Sequence, residues 1–114
     1  HKGGCNALYV MPDPILINWR AQILAEAARL RLPAFYFQPE FALEGGLMSY
    51  SANVEDMFRR AAGYVDRILK GAKPSDLPIQ HPTQFELVIN LKTAKTLGLP
   101  IQPSLLMRAD RIIE

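Results

Sequence analysis

The fold class is decided by residues 7–37, which read ALYVMPDPILINWRAQILAEAARLRLPAFYF. An apolar run at 7–11 stops at a Pro-Asp-Pro turn, and an aromatic run at 34–37 follows Pro33. Short apolar or aromatic runs bounded by proline are typical of buried strands, and the segment between them has helical spacing. The stretch therefore predicts a β-α-β unit with parallel strands, a right-handed crossover and a sheet that needs cover on both faces.

The first helix should begin at Pro14 and end near Arg31. Asp13 is suited to the N-cap position, and proline is favoured at the first helical position. Its predicted buried stripe consists of Leu16, Trp19, Ile23, Ala27 and Leu30. In the aromatic run that follows, we expect Phe35 and Phe37 to lie in the core, because alternate side chains of a strand share one face.

The middle of the chain continues the alternation of strands and helices. Residues 40–44 can form one helical turn, and Gly45-Gly46 then allows a bend before a third strand at 47–50. A long amphipathic helix should follow, with Asn53 as its N-cap and Gly71 just beyond its end.

Prolines divide the last third of the chain. Three prolines within residues 73–82 predict an extended connector, after which a strand is expected at 85–89. Asn90 should cap a helix that Gly98 ends. A final helix beginning at Ser104 is predicted to bury Leu105, Leu106, Ala109, Ile112 and Ile113. The whole pattern predicts the α/β class, with a mainly parallel sheet flanked by helices.

Size and charge narrow the range of functions. The chain has 114 residues, of which 49% are hydrophobic and 21% charged, and its formal net charge is +2. This is enough for one core, and the dispersed basic residues do not favour nucleic acid as a partner. Charged residues interrupt every apolar stretch, so we expect no membrane-spanning segment. The single cysteine, Cys5, excludes an internal disulfide.

Four side chains are candidates for ligand binding. Parallel sheets bind ligands beyond the carboxyl ends of their strands, and Asp13 follows the first strand while Ser49, Tyr50 and Ser51 lie at the end of the third. A carboxylate suits an ammonium group, a tyrosine ring can stack, and serine hydroxyls can donate to a carboxylate. Each also has a structural interpretation: Asp13 and the serines as caps, and Tyr50 as half-buried packing.

Catalysis and cofactors find little support in the sequence. The chain lacks a dinucleotide fingerprint and a phosphate-binding loop. His1 and His81 have no recognisable nucleophile partner and, with Cys5, no metal-ligand spacing. Glu40 and Glu44 lie one helical turn apart and are typical of a solvated face. We therefore expect a protein that is not an enzyme and needs neither cofactor nor metal.

Three segments resemble a known family. They are GGLMSY at 45–50, GAKPSDLP at 71–78 and PTQFELVINLKTAKTLGLP at 82–100. Together they look like the closing part of an ABC-transporter substrate-binding protein of the periplasmic type, although Ser51 stands where the family usually has glycine. The resemblance implies one lobe of a periplasmic-binding-protein-like fold, with residues 1–81 as a second-lobe segment and 82–114 as a hinge-crossing strand and C-terminal helices.

The same resemblance implies a function and partners. The full-length protein would capture a small solute, such as an amino acid, in a cleft between lobes and deliver it to an ABC permease from the periplasm. As an isolated piece, the chain is expected to form a homodimer, by exchange of residues 83–114.

Two other classes stay open at this stage. The β-α-β pattern also fits a self-standing flavodoxin-like regulatory or protein-interaction domain, although Asp13 lacks the acidic cluster of a phosphoacceptor site. A small enzyme using Asp13 or Glu40 as acid or base would need a carboxylate with a perturbed pKa in a closed pocket.

Overall fold

The computed structural model describes residues 3–114. His1 lies outside the described residues, so the prediction that it takes part in no catalytic or metal site concerns a residue the structure does not describe. The strands are β1 (Leu8–Tyr9), β2 (Ala34–Tyr36), β3 (Met48–Ala52), β4 (Phe85–Asn90) and β5 (Arg111–Ile113). The helices are α1 (Pro14–Asn18), α2 (Arg20–Arg29), α3 (Pro39–Leu43), α4 (Val54–Leu69), α5 (Leu91–Leu97) and α6 (Pro103–Leu106), and Pro74–Asp76 form a 3₁₀ turn.

The five strands form one sheet in the order β1-β2-β3-β4-β5. β1, β2 and β3 are parallel to one another, and β5 is parallel to β4. The Asn90 N–H, at the end of β4, donates to the Leu47 carbonyl, just before β3 begins, at 2.8 Å. β4 therefore runs opposite to β3, and the prediction of an α/β fold with a mainly parallel sheet is confirmed.

The chain divides into two compact units. One comprises the residues up to Ser51 together with Glu86–Glu114, and the other is Ala52–Phe85. The sequence-based division into 1–81 and 82–114 has a single boundary, which lies a few residues before Phe85, where the second unit ends and the chain re-enters the first. It has no counterpart to the boundary after Ser51. The assignment of segments to lobes of a longer protein stays a prediction.

Helices α1 to α3 pack on one face of the parallel strands. The core cluster combines Val10, Ala34 and Tyr36 from the strands and their ends with Ala27 of α2 and Phe41 of α3. Tyr36 and Phe41 stack with ring centroids 4.8 Å apart. Both crossover connections, from β1 to β2 and from β2 to β3, therefore lie on the same side of the sheet.

Tyr36 is the fully buried residue of the aromatic run. The expectation for Phe35 was wrong, whereas Phe37 packs against the core cluster, with its ring centroid 5.4 Å from that of Phe41. Tyr36 is buried, whereas Phe35 and Phe37 are only partly buried. Gly46 makes room for the tyrosine ring, because a Cβ on this residue would lie 2.6 Å from Tyr36 Cε2. Neighbouring strands and this glycine decide which face is covered, and alternation alone does not.

The predicted first helix is broken at Trp19. Its backbone angles, φ −96° and ψ 12°, separate α1 from α2. Trp19 is consequently 55% exposed instead of lying in the predicted buried stripe. β-branched Ile15 and Ile17 and the weak helix former Asn18 reduce helix propensity just before the break.

The C-terminal helix predicted from Ser104 to Ile113 was also wrong. Helix α6 covers only Pro103–Leu106, and Arg111–Ile113 pair with β4 instead. Asp110 fixes the start of β5: Leu87 N donates to its carboxylate at 2.7 Å, and its own N–H donates to the Leu87 carbonyl at 2.9 Å. Pairing with β4, which is distant in sequence, therefore overrides the helical pattern of this segment. Ile112 and Ile113, which were part of that pattern, are β-branched and also favour a strand.

The unit Ala52–Phe85 consists of α4 and the proline-rich connector. Asn53 caps α4 by accepting from Asp56 N at 2.9 Å, and Gly71, with φ +104°, follows its end as predicted. The apolar stripe of the helix is largely exposed, with Phe58 72% and Leu69 82% accessible. The connector packs against α4 on the side that carries Tyr64, whose hydroxyl donates to the Pro78 carbonyl.

Candidate functional site

Asp13 stands at the carboxyl end of β1, in the turn that opens α1. Its extended backbone, φ −155° and ψ 130°, lets Oδ1 accept from Ile15 N at 2.8 Å. The predicted N-cap is therefore confirmed. Asp13 is nevertheless exposed, so the cap does not bury its charge. A capping carboxylate at the start of a helix can keep a face toward solvent or ligand.

Tyr50 lies at the same edge of the sheet, two strands away. Tyr9 is in register with Phe35, and Phe35 with Met48. Tyr50 is therefore level with Met11, about 10 Å across two strand spacings. It is 49% exposed. The parallel pairing thus brings the turn containing Asp13 and the Tyr50 ring to one edge of the sheet, as the sequence predicted.

The two serines occupy the opposite face of β3 from Tyr50, because successive side chains of a strand alternate. Ser49 is fully buried and Ser51 is partly buried. Within residues 3–114 neither hydroxyl oxygen has a hydrogen-bond partner. The structure therefore brings Tyr50 and Asp13 to one edge but places the Ser49 side chain in the core, out of direct reach of a molecule there.

Exposed apolar side chains around Asp13 were not among the predicted site residues. Met11 is 65% exposed and Ile15 64%. Together with Tyr50 they give the sheet edge an apolar character around one carboxylate. Met11 and Ile15 are the immediate apolar neighbours of the Pro-Asp-Pro turn, and that adjacency was the available sequence signal.

The titratable groups do not resemble an acid–base centre. Burial raises the pKa of Tyr36 to about 12, so its phenol stays neutral and serves packing. Asp13 and Glu40 are both exposed, which is unlike the closed pocket that a catalytic carboxylate needs. Among residues 3–114 no cluster of His, Cys, Asp and Glu side chains is arranged to hold a metal ion.

A concavity of about 390 Å³ lies within Ala52–Phe85, between α4 and the connector. Its lining is mainly apolar, including Met57, Ala61 and Ile68. Arg60, its cationic residue, already pairs with Asp56 at 3.0 Å and donates to Thr83 Oγ1. With its cation engaged in this way, the groove is better explained by helix–connector packing than by capture of a charged solute.

The fold defines the α/β class with a mainly parallel sheet, and comparison with known proteins identifies the family. The profile of the ABC transporter substrate binding protein family matches residues 2–113. The chain belongs to this family. None of the curated proteins compared with it matches. Every helix within residues 3–114 is too short or too polar to traverse a lipid bilayer.

Solved structures share the fold. An ABC domain from Streptococcus pneumoniae, solved in complex with L-Trp, has a TM-score of 0.88 at 26% identity and covers 96% of this chain. A conserved domain protein from Vibrio cholerae has a TM-score of 0.86 at 25% identity over 94% of the chain. The ligand-free, open structure of a Clostridium difficile substrate-binding protein with adhesive properties, 19% identical over 97% of the chain, has a TM-score of 0.70 and shows the fold alone.

The chain represents only part of these relatives. It spans 37%, 36% and 37% of the three solved chains, so it is a fragment of a larger protein. The activity, ligand and partners of the full-length protein are therefore matters for proposal.

Proposed function

We propose that the full-length protein is a solute receptor of an ABC importer, which binds a small solute between two lobes and delivers it to the permease. The family match over residues 2–113 is the observation that carries this proposal. Members of the family are typically extracytoplasmic, and we place the protein in the periplasm. Its task is then capture and delivery, with no chemistry done on the solute.

The sheet edge suits one wall of the binding cleft. Asp13 offers an exposed carboxylate at the start of α1, and Tyr50 offers a half-exposed ring at the end of β3. A carboxylate forms charge-assisted hydrogen bonds with an ammonium group, and a tyrosine ring packs on an apolar or aromatic side chain. These two contacts suit the ammonium group and the side chain of an amino acid.

An apolar or aromatic amino acid is the ligand class we favour. Met11 and Ile15 are exposed beside Asp13, so the wall offers apolar area near the charge. The Streptococcus pneumoniae relative was solved with L-Trp, which is consistent with this class. Ser49 and Ser51 remain site candidates, although the Ser49 side chain is fully buried and Ser51 is partly buried.

Hinge closure is the proposed mechanism of delivery. The chain leaves one compact unit after Ser51 and returns after Phe85, and these two passages are our candidates for hinge strands. Contacts of the solute with both lobes would stabilise the closed state, which the permease recognises. A homodimer by exchange of 83–114 is not needed, because Glu86–Glu114 already share a compact unit with the residues before Ala52.

A ligand screen on the full-length protein tests the proposal. The panel should contain the twenty amino acids and a set of small carboxylates, with thermal unfolding as the readout. A ligand at 100 times its Kd raises the stability of the native state by about 2.7 kcal/mol, which shifts the midpoint measurably. We expect apolar or aromatic amino acids to give the largest shifts. A panel with no shift would contradict the proposal and favour the protein-interaction alternative.

A further inference from the structure

Hydrogen bonds join the two passages of the chain that enter and leave the unit Ala52–Phe85. We call them the outgoing passage, which follows Ser51, and the returning passage, which ends at Phe85. The Asn53 N–H, in the outgoing passage, donates to the Gln84 carbonyl, in the returning passage, at 2.9 Å. The two passages therefore run side by side where they meet the start of α4.

Side chains of α4 bond to both passages. On the outgoing side, Asn53 Oδ1 accepts from Asp56 N at 2.9 Å. On the returning side, Arg60 donates from Nη2 to Thr83 Oγ1, while its Nε lies 3.0 Å from Asp56 Oδ2. A guanidinium can serve both groups at once because its donors are held in a planar fork. The result is a closed ring of contacts, which we call the clasp: Asn53, Asp56, Arg60, Thr83 and Gln84.

Asp56 distinguishes the clasp from the other ion pairs of the helix. Within residues 3–114 it is the one buried charged residue, at 8% exposure. The Lys70–Asp66 pair has the same i,i+4 spacing, but its side chains are 75% and 60% exposed. Exposed pairs add little stability, and a buried charge carries a desolvation cost that its partners must offset. A role in fixing geometry therefore explains the buried carboxylate better than a gain in stability does.

We propose that the clasp makes the two passages bend as one hinge, with Asp56, Arg60 and Thr83 as its positioning residues. This inference rests on the proposed function, because it concerns closure around a solute. Hinge motion concentrates changes of φ and ψ in a few residues at the ends of elements. Passages that bend independently also reach arrangements that cannot close, so the fraction of molecules competent to close falls without the clasp.

Thr83→Val in the full-length protein opens the clasp with little disturbance elsewhere. Thr83 is exposed, and valine has nearly the same shape but cannot accept from Arg60, so we expect the global unfolding midpoint to stay unchanged. Thr83→Ser keeps the hydroxyl and should retain the clasp. Thr96→Val is the matched control, because it also removes an exposed threonine hydroxyl, one that donates to the Lys92 carbonyl within α5.

Hydrogen exchange of the unliganded full-length protein, resolved at single amides, tests the clasp without any solute. The Asn53 amide is the probe. The Asn90 amide, which donates to the Leu47 carbonyl at 2.8 Å at the opposite end of the β3–β4 pair, is the internal reference. We expect Thr83→Val to raise the exchange rate of Asn53 about three- to tenfold and to leave that of Asn90 unchanged. Thr83→Ser and Thr96→Val should change neither rate.

Calorimetric titration with the best amino acid from the ligand screen measures the consequence for closure. We expect Thr83→Val to bind about three- to tenfold more weakly, because fewer molecules are competent to close. An unchanged Asn53 exchange rate in Thr83→Val would overturn the inference, and so would faster exchange with unchanged affinity, or the same effects in Thr83→Ser. If the screen finds no solute, the proposed function fails, and the exchange result alone decides whether the clasp joins the passages.

Discussion

Asn90 and Asp13 both cap the N-terminus of a helix, but Asn90 is buried and Asp13 is exposed. Each follows a strand and caps a helix: Asn90 Oδ1 accepts from Thr93 N at 3.2 Å, and Asp13 Oδ1 from Ile15 N at 2.8 Å. Asn90 is only 4% exposed and also donates from Nδ2 to the Ala42 carbonyl at 2.9 Å. Asp13 is exposed. A cap that is buried and doubly bonded stabilises the fold, whereas an exposed charged cap is accessible to a solute.

The largest effect on stability is expected from truncating a buried side chain next to Asn90. Ile89, beside Asn90, is 0% exposed, so Ile89→Ala loses apolar burial and leaves a cavity. We expect the unfolding free energy of the full-length protein to fall by about 2–5 kcal/mol. The matched control is Ile15→Ala beside Asp13, where the side chain is 64% exposed and a much smaller change is expected. Urea denaturation measures both, and equal losses would mean that Ile15 is as buried as Ile89.

The next largest effect on stability is expected from removing the capping side chains of Asn90 and Asp13. Asn90→Ala removes a cap and leaves the buried Ala42 carbonyl without its side-chain donor, so we expect a loss of about 1–3 kcal/mol. Asp13→Ala removes only an exposed cap, for about 1 kcal/mol or less. The same denaturation experiment compares the two variants. If Asp13→Ala costs more stability than Asn90→Ala, the burial contrast is not what separates the two positions.

Two glycines sharpen the contrast between buried and exposed sites. A Cβ on Gly46 would lie 2.6 Å from Tyr36 Cε2 and 2.7 Å from the Phe41 carbonyl oxygen, so Gly46→Ala forces the core apart, at a cost of about 1–3 kcal/mol. Gly63, inside α4, has open space around it. Gly63→Ala should stabilise by about 0.5–1 kcal/mol, because alanine is the better helix former. Thermal unfolding that shows both substitutions moving the midpoint in the same direction would contradict the packing at Gly46.

The smallest effect is expected at an exposed ion pair and depends on pH. Arg20 donates two hydrogen bonds to Glu44 and lowers the pKa of that carboxyl below its ordinary value of 4.5. Because the folded-state pKa is lowered, ionised Glu44 stabilises the fold above pH 4.5, and this contribution is lost as pH falls through the folded-state pKa.

We therefore expect Glu44→Gln to lower stability slightly at pH 7 and to make no difference once the pH lies below the folded-state pKa. Denaturation midpoints measured from neutral to acidic pH follow the difference between the variant and the unsubstituted protein. A difference that stays constant down to the lowest pH would show that the effect does not come from the charge of Glu44.

Local signals in the sequence account for much of the fold. Asn90, with its cap, and Gly98, with φ +71° at the end of α5, were predictable because the capping chemistry is contained within a few residues. The order of strands and helices up to β4 follows in the same way. Parallel pairing of β1, β2 and β3 then brings Asp13 and Tyr50 to one edge, because the carboxyl ends of parallel strands coincide.

Nonlocal contacts explain what could not be predicted. β5 exists because Arg111–Ile113 find the edge of β4, a partner more than twenty residues away whose availability no local pattern reveals. Tyr36 is buried because Gly46 leaves space for its ring. Ser49 is buried because of the face that β3 presents to the core, and that depends on register. The roles of Asp13, Ser49, Tyr50 and Ser51 in binding stay predictions.

Asp13→Asn offers the most direct test of the central claim, because asparagine caps a helix as well as aspartate does but carries no charge. Calorimetric titration of the full-length protein and this variant, with the best amino acid from the ligand screen, measures the role of the charge, and Tyr50→Phe serves as a variant that keeps the ring. We expect Asp13→Asn to unfold at the same midpoint and to bind about 10–100-fold more weakly, equivalent to one charge-assisted hydrogen bond. Unchanged affinity in Asp13→Asn would contradict the claim and leave Asp13 as a helix cap alone.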